Sequence, residues 1–104
     1  MADGDFRFWR DERGPHFSFK HTLVEHSDHM DWGYAGPAPA DAALNILYRA
    51  LLRRKYDKGR AANVALAHHH DFMLAFVAPL PLEGGTLPGG QVYAWLDARF
   101  FDAR

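Results

Sequence analysis

Apolar positions recur every second residue at the start of the chain. Phe6 and Phe8 alternate with Arg7 and Trp9, the pattern of a half-buried strand. Asp11-Glu12-Arg13-Gly14-Pro15 has the composition of a turn. Beyond it Phe17, Phe19, His21 and Leu23 alternate with Ser18, Lys20, Thr22 and Val24, which predicts a second, longer strand. The short connection predicts an antiparallel hairpin. A polar stretch from Glu25 to Asp31 follows, and the extended piece Met30 to Tyr34 is assigned as a third, edge strand.

At Ala40 the period changes to that of a helix. Ala40, Ala43, Leu44, Leu47, Tyr48 and Leu51 share one face. Pro39 suits the first turn, where its missing N–H is no loss. Asp41 is placed in that turn, facing the positive end of the helix dipole, with Arg53, Arg54 and Lys55 at the other end. Gly59 is read as the stop. A second helix is predicted from Ala61 to Val77, its inner stripe Ala62, Leu66, Met73 and Val77, with Pro79 and Pro81 ending it. On this helix His70 points to the stripe, His69 to its edge, and His68 away with Asp71. Glu83-Gly84-Gly85 and Pro88-Gly89-Gly90 read as loops. A short third helix, Gln91 to Phe101, presents Val92, Trp95, Leu96 and Phe100 on one face. The sum is one α+β domain spanning residues 1–104: a small antiparallel sheet packed on two main helices and a short C-terminal one.

Composition narrows the chemistry. With 12 Lys and Arg against 13 Asp and Glu, the net charge is −1, so no long-range attraction to nucleic acid or an acidic membrane is expected. There is no cysteine, which excludes disulfides and thiolate zinc sites. The acidic start Met1-Ala2-Asp3-Gly4-Asp5 is unlike a secretory signal, and every apolar run is interrupted before it reaches a membrane span. A cytoplasmic location and no membrane contact are expected.

Seven histidines invite a metal hypothesis. His68, His69 and His70 are consecutive, so on a helix they diverge by about 100° each and cannot meet on one ion. The His-Glu-x-x-His spacing is absent. His16, His21, His26 and His29 flank the second strand; His26-Ser27-Asp28-His29 can chelate only if the chain turns there, and a polar surface loop is the simpler reading. Ser27 sits between His26 and Asp28, but triads are assembled in space, and no Gly-x-Ser-x-Gly elbow exists. No catalytic residue, metal or cofactor is assigned.

The basic residues lie elsewhere. Asn45, Arg49 and Arg53 share the outward face of the first helix, with Ile46 beside them, and Arg54, Lys55, Tyr56, Lys58 and Arg60 follow. An apolar residue among arginines and a tyrosine reads as the edge of a protein-binding patch. Asn45, Ile46, Arg49, Arg53 and Tyr56 are the candidate interaction residues.

The most distinctive run is Trp32-Gly33-Tyr34-Ala35-Gly36-Pro37-Ala38-Pro39-Ala40-Asp41-Ala42-Ala43-Leu44. It resembles the signature Trp-Gly-Tyr-Gly-Gly-Ser-Gly-Pro-Ala-Asp-Leu-Ala-Leu of a family of small uncharacterised prokaryotic and phage proteins, a domain of unknown function. Trp32, Gly33, Tyr34, Gly36, Pro39, Ala40, Asp41, Ala43 and Leu44 match. Where that signature has Gly-Gly-Ser-Gly, this chain has Ala35-Gly36-Pro37-Ala38, which removes most of a backbone cradle for an anion. Trp32 and Tyr34 are therefore expected to pack inward at a strand-to-helix corner. The resemblance implies an accessory protein of a phage or mobile element, a non-catalytic binder docking on a host defence complex such as a CRISPR effector. The alternatives are a nucleic-acid-associated protein using Arg49, Arg53, Arg54 and Lys58, and a metal-dependent hydrolase built on the histidines.

Overall fold

The N-terminal alternation does form a hairpin. The structure, a computed structural model, describes residues 4–102; the acidic start Met1 to Asp3 lies outside them. Strand β1 (Phe6–Asp11) pairs antiparallel with β2 (Gly14–Phe17), Phe8 opposite Phe17 and Asp11 opposite Gly14. Asp11 closes the turn by accepting the Arg13 N–H at 2.8 Å. The second strand stops at Phe17, earlier than its alternation predicts. Ser18 still donates to the Arg7 carbonyl at 3.0 Å, but from Phe19 onward the chain leaves the ladder and takes its partners from a helix.

The third strand is not Met30–Tyr34. It is β3 (Gly84–Leu87), read from sequence as a loop, and it pairs antiparallel with the other side of β1 to give the order β2-β1-β3. Glycine conceals it because glycine has low strand propensity. Here Gly84 is required: its φ is +112°, and a Cβ would stand 2.2 Å from the Phe8 carbonyl oxygen.

Helix α1 (Pro37–Arg53) begins three residues before its hydrophobic period does. Gly59 does not end it. The chain reverses at Lys55, whose φ is +71°, and Gly59 falls in the first turn of α2 (Lys58–Phe72), which Asp57 caps by accepting the Arg60 N–H at 2.8 Å. A π-helical turn, Met73–Val77, extends α2, with the Ala78 N–H reaching back five residues to the Met73 carbonyl. Helix α3 (Gly89–Asp102) completes the fold.

The inner face of α2 is Ala61, Ala65, His69 and Phe72, one position ahead of the predicted stripe; Leu66 is exposed. Alanine at these positions lets α2 lie close along α1, which outweighs the extra apolar area Leu66 would bury. The π turn adds one residue to the repeat, so Met73 and Val77 return to the core as predicted. Helix α1 is enclosed on nearly every side, Arg49 being the one exposed residue between Ala38 and Leu51. Ile46 is fully buried, which corrects its placement on an outward face. Below the sheet, Phe6, Phe8, Phe17, Phe19 and Trp32 meet edge to face at 5.3–5.9 Å between ring centres. Among the described residues, no helix is long and apolar enough to cross a membrane.

Candidate functional site

Two polar side chains one turn apart on α1, Asp41 and Asn45, are buried to 0% and 2% exposure. Both are fully partnered. Asn45 accepts the N–H groups of Thr22 and Leu23 at 2.9 and 2.8 Å, and its amide donates to the carbonyls of Leu23 and Asp41 at 2.9 and 2.8 Å. It thereby satisfies the backbone of Thr22 and Leu23 as a neighbouring strand would, and holds them against α1 outside the sheet. Asp41 accepts from His21 Nε2 at 2.7 Å and from the backbone N–H groups of Glu25 and His26 at 3.2 and 3.0 Å. Its carboxylate holds a loop in place, and the dipole role expected of it is not the one it serves.

The same loop brings His26 against α2. His26 Nε2 lies 2.8 Å from His69 Nε2, the rings nearly parallel with centres 5.0 Å apart. His69 Nδ1 lies 2.8 Å from the Leu66 carbonyl, which can only accept, so that nitrogen carries the proton. In the neutral ring His69 Nε2 is then the acceptor and His26 the donor. A cleft of about 420 Å3 opens beside the pair, lined by Gly36, Pro37, His70 and Met73. The consecutive histidines diverge as helical geometry requires, but His69 is the inward one and His70 is exposed. Among the described residues no three His, Asp or Glu side chains converge in a way that would hold a metal ion. At the loop tip, Ser27 Oγ and Asp28 Oδ1 both bond the same nitrogen of His29, Nδ1, at 3.1 and 3.0 Å. One ring nitrogen cannot relay a proton between them.

His68 faces α3. Arg99 donates to its Nδ1 at 3.2 Å and pairs with Asp71 at 2.7 Å. Burial and then the Arg99 charge push the His68 pKa below the usual 6.5. Because the unfolded chain takes this proton more readily, His68 lowers stability as pH falls through the ordinary histidine range. An NMR titration of the His68 ring protons is expected to give a midpoint below 6.5; a midpoint at or above that value would contradict the packing against Arg99.

The distinctive run around Trp32 forms the corner between loop and α1. Trp32 is wholly buried and donates from Nε1 to the Pro81 carbonyl at 2.9 Å, with Arg10 stacked 4.0 Å over its ring. Gly33 has φ +90° and donates to the Val77 carbonyl at 3.1 Å; a Cβ there would meet Leu82 at 2.6 Å. Tyr34 does not pack inward. It is 44% exposed and donates to Asp31 at 3.2 Å, because one buried indole already fills the corner. Gly36 caps α1 with no side-chain bond, and Pro37 and Pro39 in the first turn have no N–H to offer an anion.

The predicted interaction residues separate. Asn45 and Ile46 point into the molecule. Arg53 donates to the Gly4 carbonyl at 2.9 Å and lies over Phe6. Arg54 pairs with Asp97 of α3, which holds the Asp97 carboxyl below its usual pKa. Tyr56 is half-buried beneath Arg60. Arg49 is exposed, and its side chain makes no hydrogen bond or ion pair with another described residue. It lines a groove of about 180 Å3 with Lys20 and Lys58, over a floor of Phe19, Tyr48 and Leu52. Lys20 was readable as outward from the strand alternation; that it would face α1 and the start of α2 was not.

The sequence model of a family of unknown function, DUF6166, matches residues 2–98, and the chain belongs to that family. Nothing among the curated proteins or the solved structures matches it.

Proposed function

Taking a member of a family without a known activity as the premise, we propose that this domain is a non-catalytic protein-interaction module that receives an acidic partner surface in the groove of Lys20, Arg49 and Lys58. One observation carries the reading. Three cations from three separate segments line one groove, and no carboxylate is among its lining residues. In a chain of net charge −1 this is a local concentration of positive charge. The floor of Phe19, Tyr48 and Leu52 offers apolar contact beneath the charges, the combination that protein interfaces favour. A nucleic acid needs a longer cationic track, and Arg53 and Arg54 are already engaged within the fold. The family resemblance adds a finer proposal, that the partner belongs to a host defence complex.

The test is affinity purification from the native host with wild-type protein and with Lys20→Glu, Arg49→Glu and Lys58→Glu combined. The three residues are exposed, so the variant is expected to fold normally while losing its partner. Equal recovery of the same partner by both proteins would remove the reading. Salt-sensitive binding to a single-stranded DNA or RNA oligomer, lost in the variant, would replace it with the nucleic-acid alternative.

A further inference from the structure

We infer that the groove of Lys20, Arg49 and Lys58 is an anchor pocket: it takes one apolar side chain, of phenylalanine or leucine size, from a partner segment that carries carboxylates on both sides of that residue. This rests on the reading of the groove as the partner site, and adds the chemistry of what enters it. Size sets the first limit. Along α1 the lining runs from Asn45 to Leu52, two helical turns or about 10 Å. The volume is about 180 Å3, and a cavity of about 150 Å3 already holds a benzene ring. One ring or branched side chain fills such a space, and a second does not fit.

Floor and rim select different groups. Phe19, Tyr48 and Leu52 present mainly apolar surface, which gains from an apolar group laid on it. A carboxylate pushed down among them would lose its water. The cations above are uncommitted: no ion pair among the described residues involves Lys20, Arg49 or Lys58. Lys20 comes from the segment held on Asn45, Arg49 from α1 and Lys58 from the first turn of α2. Carboxylates before and after the anchor therefore each have a cation to meet. Exposed ion pairs are individually weak, so the rim steers the partner in and the buried side chain holds it there.

Fluorescence anisotropy of labelled peptides with the full-length chain tests this. The peptide Glu-Glu-Phe-Glu-Glu, blocked at both ends, is expected to bind at least about tenfold more tightly than the same peptide with alanine at its centre, the least that burying a phenyl ring predicts. Added salt is expected to weaken both while leaving their ratio, because screening acts on the rim charges and not on the buried ring. Lys-Lys-Phe-Lys-Lys is expected not to bind. Arg49→Gln, an exposed change, is expected to weaken both acidic peptides by a similar factor. Leu52→Asn, its folding checked by circular dichroism, is expected to shrink the advantage of phenylalanine; should it misfold, the wild-type peptide comparison decides alone. Equal affinity for the phenylalanine and alanine peptides would overturn the anchor and leave an acidic surface as the occupant. No binding of the phenylalanine peptide, an unchanged ratio in folded Leu52→Asn, or undiminished binding in Arg49→Gln would remove the motif from this groove. A single-stranded DNA oligomer that binds more tightly than either peptide would overturn it in favour of a nucleic acid.

Discussion

Replacing Trp32 with alanine is expected to destabilise the protein by about 3–5 kcal/mol, the range for removing a large aromatic side chain from a packed core. The indole has no exposure, and its edge contacts to Phe8 and Phe17 at 5.5 and 5.3 Å join the sheet to the corner before α1. Its Nε1–H also ties the corner to Pro81, beyond the π turn. The change would leave a cavity against three elements and strip Arg10 of its stacking partner. Urea unfolding followed by circular dichroism measures it. In a domain of this size each kcal/mol corresponds to about 4–8 °C in Tm, so the loss is large on either scale. Tyr34→Ala, two residues on, is expected to cost under about 1 kcal/mol, because its ring is exposed and its one bond is to a surface carboxylate. Similar losses for the two would show that the corner is not anchored by the indole.

Asn45→Ala is expected to cost about 2–4 kcal/mol. The substitution removes the acceptor for two backbone N–H groups and the donor to one loop carbonyl, and each group left without a partner costs about 1–3 kcal/mol, less where the loop can relax toward water. The same unfolding measurement gives the magnitude. Hydrogen exchange locates it: the Thr22 and Leu23 amides are expected to lose protection while the β1–β2 amides keep theirs. If the two loop amides stay protected in the variant, Asn45 is not what holds residues 19–24 in place. Loss of that segment would also displace Lys20, so this core substitution is expected to weaken binding at the proposed groove without touching its surface charge.

The contrast between Asn45 and Arg49 explains what could be read in advance. Both fell on the same face of α1, and helical periodicity treats a face as inward or outward as a whole. In the fold the segment carrying Thr22 and Leu23 covers part of that face, so Asn45 becomes its hydrogen-bond partner while Arg49 stays in solvent. The α2 stripe failed by one residue for a related reason. Leu66 outranks Ala65 in hydrophobicity, but the close approach of α1 and α2 rewards the smaller side chain. His69, on the alanine side, was carried inward with it.

From sequence alone followed the α+β class, the N-terminal hairpin, the three helices and the burial of Trp32. These rest on local periodicity and on turn and capping residues, whose energetics are settled within a few residues of chain. Only the tertiary structure decided that Gly84–Leu87 completes the sheet, that Asp41 and Asn45 hold a loop, that His26 meets His69, and that Lys20 joins Arg49 and Lys58. Each of these depends on groups far apart in the chain, and a buried polar residue or a charged groove takes its meaning from the partner that folding brings to it.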